Sequence, residues 1–300
     1  MNNNNIGRGA FILMIILTVI GVVALSINAF LPIDLVPIMM SPKWLLMTFI
    51  VLTTFVIWNS VLTKGWGRSL LALALAYIIA FTAEALGVNF GLVFGRYYYT
   101  DALGIKFIGV ALMVALAWEP ILYASFGITD ILIPSPVKRS DSLLRRLPYY
   151  LGAAFVGALA TTAWDMMIDP VAVNRGWWVW LDGGPYMPYV EHGVPISNYM
   201  GWLGTAFVCH LMYRLIMGTG PRPHRSLNLS VYGPLMLYFY LFITAEGMAL
   251  TILKRPEVGL IGLMGMGFFV AVALMRVRPL QQGVETTLGE GQLEADAKKQ

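Results

Sequence analysis

The chain has 300 residues, of which 58% are hydrophobic and only 12% are charged, and its mean hydropathy is +0.71. A water-soluble protein of this length needs more polar surface, so the composition excludes a soluble globular protein and indicates an integral membrane protein. The formal net charge of +4 is typical of basic cytoplasmic loops and gives no reason to expect a nucleic-acid partner.

Apolar segments follow one another along the chain, and each is close to the roughly 20 residues that a helix needs to cross the hydrocarbon core. They predict an all-α, polytopic membrane helix bundle of about eight transmembrane helices, at 9–29, 43–62, 68–90, 105–126, 147–168, 198–217, 230–252 and 258–275. The first segment is too long for a cleaved signal peptide, so we expect it to remain in the protein. We interpret 1–280 as one transmembrane domain and the polar residues 281–300 as a disordered cytoplasmic tail.

Lysine and arginine are distributed unequally between the two sides of this bundle. Twelve fall on the side of the amino terminus and six on the other side. Because cytoplasmic loops carry the excess of positive charge, we expect both termini of this multi-pass protein to lie on the cytoplasmic side of the cell membrane.

Acidic residues occur within or near the predicted spans, in the half of the bilayer that would face outward. A carboxylate in hydrocarbon costs several kcal/mol unless it is protonated, paired or hydrated, so such residues are candidates for function. Asp165 and Asp169 are four residues apart and would share one helix face, and Pro170 predicts the end of that helix. We expect the acids to meet in one pocket under the outer loops 91–104 and 169–197, and we predict that the catalytic residues are Glu84, Asp165, Asp169 and Glu246.

Aromatic residues are concentrated between residues 161 and 202. At such density they form either a belt at the membrane surface or the wall of a pocket. Together with neighbouring residues, they supply the candidates for contact with a substrate: Tyr97, Tyr99, Trp164, Trp177, Trp178, Trp180, Tyr189, Asn198 and Trp202.

This combination of acids and aromatic rings suits carbocation chemistry. A carboxyl group in apolar surroundings favours its protonated form and can act as a general acid, and a second carboxyl nearby reinforces that preference. An indole or phenol face over a cation contributes about 0.5 to 2 kcal/mol. The sequence therefore indicates hydration or cyclisation of an alkene in a membrane-soluble isoprenoid.

Several motifs carry a resemblance to a known family: Glu84 with Gly87, GLVFGRYYY (91–99), WDMMIDP (164–170), GWWVW (176–180) and YVEHGVPISNYMGW (189–202). Their order over residues 70–275 resembles the CruF-type carotenoid hydratases of the carotenoid biosynthesis membrane protein family, which includes bisanhydrobacterioruberin hydratases. The resemblance implies addition of water to the terminal double bond of an acyclic (ψ) end group, without a cofactor, giving a tertiary 1-hydroxy carotenoid. It implies a lipophilic substrate such as γ-carotene, lycopene or a C50 carotenoid, within membrane lipid, and a glycosyltransferase as a pathway partner.

In the resulting hypothesis, Asp165 or Asp169 protonates C2 of the end group and leaves a tertiary cation at C1. A tryptophan at 177, 178 or 202 faces that cation, and water captures it. Glu84, Asn198 or the other aspartate positions the water and accepts its proton.

Three alternatives remain open at this stage. A carotenoid cyclase would use the same protonation but let a neighbouring double bond attack the cation. An intramembrane prenyltransferase would use DMMID (165–169) to bind Mg²⁺. A metal site of His and Cys is not expected, because Cys209 is the single cysteine and the histidines are scattered. A proton-coupled carrier would use the buried acids as a relay.

Overall fold

The computed structural model describes residues 36–138, 140–181, 184–187, 193–218 and 227–277, together with four isolated positions near the amino terminus. The predicted tail at 281–300 lies outside the described residues, as does the predicted first helix at 9–29 except for those four positions. The described chain forms a bundle of long helices, which confirms the all-α prediction.

Seven long helices make up this bundle: α1 (Pro42–Lys64), α2 (Trp66–Phe90), α3 (Leu112–Leu132), α4 (Leu143–Asn174), α5 (Ile196–Met217), α6 (Leu227–Met248) and α7 (Pro256–Val277). A short helical turn, Val36–Met39, precedes α1, and π-helical turns extend α6 at Ala249–Leu253 and interrupt α7 at Leu263–Gly267. Within the described residues, six segments are long and apolar enough to cross a membrane. The protein is therefore a membrane protein, and α5 is the one long helix that is not among these six described segments.

Local signals set the ends of α1 and α2. Ser41 caps α1 by accepting a hydrogen bond from the Trp44 amide at 3.4 Å, and Pro42 occupies the first helical position, where its missing N–H costs nothing. Gly65 separates the two helices at φ 89°, and Gly91 ends α2 at φ 69°, both in conformations that favour glycine. These two glycines therefore mark the end of α1 and the end of α2.

Two predicted boundaries were wrong. Helix α3 begins at Leu112 and not near 105, because the preceding residues form a small hairpin of β2 (Lys106–Phe107) and β3 (Val110–Ala111). Helix α4 does not end at Pro170 but continues to Asn174. The missing N–H of proline removes one helical hydrogen bond, and the next turn still closes through the Arg175 amide and the Val171 carbonyl at 2.9 Å.

The two predicted outer loops meet in a short antiparallel sheet of β1 (Tyr97–Tyr99) and β4 (Trp178–Trp180). Tyr97 and Tyr99 are buried, whereas Tyr98 between them is 44% exposed, which is the alternation of a strand with one face on the core. Thr100 strengthens the junction by donating a hydrogen bond to the Gly176 carbonyl at 2.7 Å. The sheet, which we call the aromatic cover, thus directs alternate aromatic rings into the end of the bundle that it covers.

Helices α4 and α5 pack against each other along much of their length. Gly157 permits this approach, since a Cβ at that position would lie 2.7 Å from Nδ1 of His210. At the end of the bundle opposite the aromatic cover, Arg214 is fully buried and forms an ion pair with Asp130, while Lys64 lies 3.8 Å from the same carboxylate. This inner charge cluster fixes α1, α3 and α5 relative to one another.

Candidate active site

Glu84, near the carboxyl-terminal end of α2, is a buried carboxylate that receives three hydrogen bonds. Its Oε2 accepts from the hydroxyls of Tyr97 and Tyr99, the latter at 2.7 Å, and its Oε1 accepts from Nε1 of Trp118 at 2.9 Å. These donors come from the aromatic cover and from α3. Glu84 therefore ties three separate elements together, and its lone pairs are directed at protein donors.

Burial raises the pKa of Tyr97 well above its usual value, and the neighbouring charge of Glu84 raises it further. The pKa of Tyr99 is raised in the same way, with burial again the largest cause. Both phenols consequently remain protonated donors at any physiological pH. The sequence predicted these residues to contact a substrate; in the structure their hydroxyl groups donate hydrogen bonds to Glu84.

Asp165 and Asp169 lie on the same face of α4, as their spacing predicted, and both are buried. The Asn198 side chain on α5 bridges them, because its Nδ2 donates to Oδ2 of Asp165 at 2.9 Å and to Oδ2 of Asp169. The two carboxyl groups therefore lie close together around one amide nitrogen. Two carboxyl groups this close in apolar surroundings favour sharing one proton over carrying two charges.

A cavity of about 120 Å³ lies beside this pair, between α1, α3, α4 and α6. Its described walls are almost wholly apolar and aromatic: Met40, Trp44, Leu45, Thr48, Phe49, Leu52, Leu103, Met113, Val114, Ala117, Trp164, Asp165, Ile168, Trp177, Trp178, Trp202, Tyr240, Leu241, Thr244 and Met248. Asp165 is the one acidic residue among them. Within the described part of the chain, no group donates a hydrogen bond to its second oxygen, Oδ1.

Trp202, in the wall of the cavity, is supported by contacts with two other indoles. The ring of Trp202 lies parallel to that of Trp118, with centroids 3.7 Å apart, and meets Trp164 edge-on at 6.1 Å. Since Trp118 also donates to Glu84, the carboxylate holds the stack in place. Trp178 reaches the cavity from the aromatic cover, where it contacts Tyr99 at a centroid distance of 5.7 Å.

The structure thus brings most of the predicted site residues to one region. Trp164, Trp177, Trp178 and Trp202 line the cavity with Asp165, whereas Glu84, Asp169 and Asn198 lie directly behind its wall. Trp180 packs against Tyr97 at a centroid distance of 4.8 Å. Tyr189 lies outside the described residues.

Glu246 is placed apart from this region. It is partly buried on α6, and its carboxylate faces Gly259 and Gly262 of α7, since a Cβ at Gly259 would lie 2.6 Å from Glu246 Oε1. Glu246 is not among the residues that line the cavity. The four predicted acids therefore divide into a group of three at the site and one between α6 and α7.

Sequence reasoning missed Trp118, Trp44 and Tyr240. Trp118 is fully buried, and its position in the middle of a predicted span beside Glu119 was an available signal, because a buried indole N–H needs an acceptor. Tyr240 reaches the cavity from α6, where the expected contribution was Glu246, and Trp44 reaches it from α1, which was not expected to contribute. No local pattern marks their inward direction.

Within the described residues, no group of three or more His, Cys, Asp or Glu side chains is arranged to hold a metal ion. Asp165 and Asp169, the acids of DMMID, instead share the Asn198 amide.

Comparison with known proteins gives two matches. Residues 42–269 match the family model described as carotenoid biosynthesis protein, and this range includes every described element of the site except Met40. The chain is also similar to a curated bisanhydrobacterioruberin hydratase of Haloarcula japonica, with 28% identity over 148 residues. That alignment covers 49% of this chain and 45% of the relative, so the chain spans less than half the length of the relative that it matches. No solved structure matches the chain.

Proposed function

The chain belongs to the carotenoid biosynthesis protein family and has a carotenoid-modifying role, and from this premise we propose that it is a carotenoid hydratase. The reaction adds water across the C1=C2 double bond of an acyclic (ψ) end group and gives a tertiary 1-hydroxy carotenoid. The observation that carries this proposal is the position of Asp165, a buried carboxyl group in the wall of an aromatic and mainly apolar cavity.

The first step is protonation by Asp165. Its proton forms the new C2–H bond as the double bond breaks, and a tertiary cation remains at C1. Asn198 and Asp169 are positioning residues at this stage, because the amide holds both carboxyl groups and Asp169 favours a single proton on the pair. This choice of acid is supported by the cavity, which Asp165 lines and Asp169 does not.

The second step is capture of the cation by water. The indole faces of Trp164, Trp178 and Trp202 surround the reacting carbon and stabilise its charge by about 0.5 to 2 kcal/mol per favourable ring. A water oxygen then bonds to C1 and releases its proton to the Asp165/Asp169 pair. The carboxyl groups are restored by this transfer, so the net reaction is the addition of one water molecule and consumes no cofactor.

Glu84 has a structural role in this proposal. With three protein donors on its two oxygens, it is already occupied, and its contribution is to hold the aromatic cover and Trp118 against the site. A covered, apolar site keeps bulk water from the cation until the positioned molecule reacts.

The test is expression of the chain in a bacterium that accumulates lycopene, followed by liquid chromatography and mass spectrometry of the pigments. A hydratase gives products heavier by one or two waters with an unchanged chromophore. A cyclase would give an unchanged mass and a shortened chromophore. If the pigment of the lycopene-accumulating host were unchanged, the result would favour a carrier.

Asp165→Asn tests the acid directly. The amide cannot donate a proton to an alkene, so we expect turnover to fall by at least about a hundredfold, the lower limit for loss of a general acid. Asp101→Asn is the matched control, because Asp101 is an exposed carboxylate of the outer loop, paired with Lys106 at 2.7 Å, and should keep full activity. Full activity of Asp165→Asn at equal protein level would remove this residue from the acid role.

We also propose the remaining features of the assembly. Residues 1–280 form a single transmembrane domain, 281–300 form a polar tail, and both termini lie on the cytoplasmic side of the cell membrane. A pathway glycosyltransferase would act on the new hydroxyl group. Reactivity of cysteines placed at each terminus toward a membrane-impermeant reagent, in intact and in opened cells, tests the orientation.

A further inference from the structure

The cavity is small in comparison with any carotenoid. Its volume is about 120 Å³. An apolar cavity of about 150 Å³ in another protein binds benzene, so this one accommodates about one isoprene unit. A ψ end group ends in such a unit, (CH3)2C=CH–CH2–, which contains both reacting carbons. The rest of the carotenoid must therefore lie beyond the cavity.

The described walls offer little that could recognise a polyene. Apart from Asp165 and the N–H groups of the indoles, the polar groups among them belong to Tyr240, Thr48 and Thr244. The Thr244 hydroxyl donates a hydrogen bond to the Tyr240 carbonyl at 2.8 Å. On one side, the wall merges with a separate apolar cluster formed by Met40, Trp44, Trp177, Met248 and Ile252. Apolar contacts of this kind are non-directional, and methionine adapts to differently shaped neighbours. The cavity and the cluster that adjoins it therefore offer the substrate mainly apolar contact.

The reacting bond is also electronically independent of the polyene. In a ψ end group, two saturated carbons separate C1=C2 from the conjugated chain, so protonation at C2 gives the same isolated tertiary cation whether or not a polyene follows. The conjugated chain contributes membrane solubility to the substrate but does not stabilise the intermediate.

From cavity size, wall chemistry and substrate chemistry, we propose a further activity: the site hydrates linear isoprenoid hydrocarbons that lack a polyene but end in the same isopropylidene group. Squalene is the simplest probe of this class. C2 of its terminal unit takes a proton from Asp165, C1 takes the hydroxyl of water, and the water proton returns to the Asp165/Asp169 pair. This inference rests on the proposed hydratase activity.

The experiment uses the purified full chain in phosphatidylcholine liposomes that contain either squalene or lycopene, with products analysed by mass spectrometry. We expect both compounds to gain one water, with rates within about tenfold of each other, which corresponds to about 1.4 kcal/mol. Hydration of lycopene without hydration of squalene would overturn the inference and leave the proposed function standing. Hydration of neither would overturn both.

Variants that fill the cavity link the two activities to one site. Ala117→Phe, from α3, and Thr48→Phe, from α1, each place an aromatic ring in a space that accommodates only about one such ring. Either variant should abolish hydration of both compounds. Met47→Phe is the matched control. Met47 is next to Thr48 in the sequence, but its side chain is exposed and does not line the cavity. Loss of lycopene hydration with retention of squalene hydration in both filled variants would place the squalene reaction elsewhere and overturn the inference.

Discussion

Glu84→Ala should destabilise the protein strongly, because this carboxylate is the common acceptor for three buried donors. The substitution leaves the hydroxyls of Tyr97 and Tyr99 and the indole N–H of Trp118 without their partner. Each buried donor that loses its acceptor costs about 1 to 3 kcal/mol. Since the three donors share one acceptor group and the site can relax, we expect a total loss of about 3 to 6 kcal/mol.

The assay is the free energy of unfolding in mixed micelles, measured by titration with a denaturing detergent and followed by tryptophan fluorescence. Glu84→Gln should lose less, about 1 to 3 kcal/mol, because the amide oxygen still accepts while the amide nitrogen does not. Glu257→Ala, an exposed acid in the first turn of α7, is the control and should change the value by less than about 1 kcal/mol. If Glu84→Ala were as stable as this control, Glu84 would not be the acceptor that organises the site.

Three further predictions concern other parts of the molecule. Arg214→Met removes one of the two cations beside Asp130 and leaves Lys64 at 3.8 Å, so it should lower the free energy of unfolding by about 1.5 to 3 kcal/mol in the same titration, the range for a lost hydrogen bond to a charged group; an unchanged value would show that the inner charge cluster is not structural. Trp202→Leu removes an indole from the cavity wall and should slow hydration by about 2- to 30-fold, the equivalent of 0.5 to 2 kcal/mol, at similar protein level; an unchanged rate would remove this ring from the cation site. Because Tyr97 and Tyr99 have raised pKa values, they stay protonated in the folded state while tyrosines of the unfolded chain ionise near pH of about 10. The free energy of unfolding should therefore be insensitive to these groups below that pH and fall above it, and the fall should be smaller in the Tyr97→Phe/Tyr99→Phe double variant.

The helices of this protein were predictable because the physical signal for a transmembrane helix is strong. A long apolar segment must form a helix in hydrocarbon, where every backbone group needs an internal partner. The boundary at 105 failed because the hairpin at 106–111 is apolar enough to extend the apparent segment of α3. The boundary at Pro170 failed because one missing N–H in the last turn does not stop a helix that is otherwise satisfied.

Helical spacing and the cost of burying a carboxylate account for part of the arrangement of the acids. The shared face of Asp165 and Asp169 follows from helical periodicity, and the pairing of Glu84 with buried donors satisfies a group that is costly to leave alone. The cavity itself depends on which face each helix turns inward, and that is a property of tertiary packing. The contributions of Trp44 and Tyr240, and the separate position of Glu246, were therefore beyond sequence reasoning.

The strand pairing in the aromatic cover had a signal in the sequence, two short aromatic segments, that was not interpreted as strands. The segments Tyr97–Tyr99 and Trp178–Trp180 are each three residues long, and their alternating burial is that of paired strands. From the sequence alone, we expected them to be belt or pocket residues within loops. Two short aromatic segments in loops that face the same side of a membrane protein are candidates for such pairing.

The central claim is that Asp165 directs the addition of water to a terminal isoprenoid double bond. The most direct measurement incubates the purified chain with lycopene in liposomes prepared in water that carries a heavy oxygen isotope, with Asp165→Asn in parallel. The account predicts that the product of the unsubstituted chain gains one water containing the labelled oxygen, and that the variant gives none at equal protein level. A product without the label, or equal labelling by the variant, would contradict it.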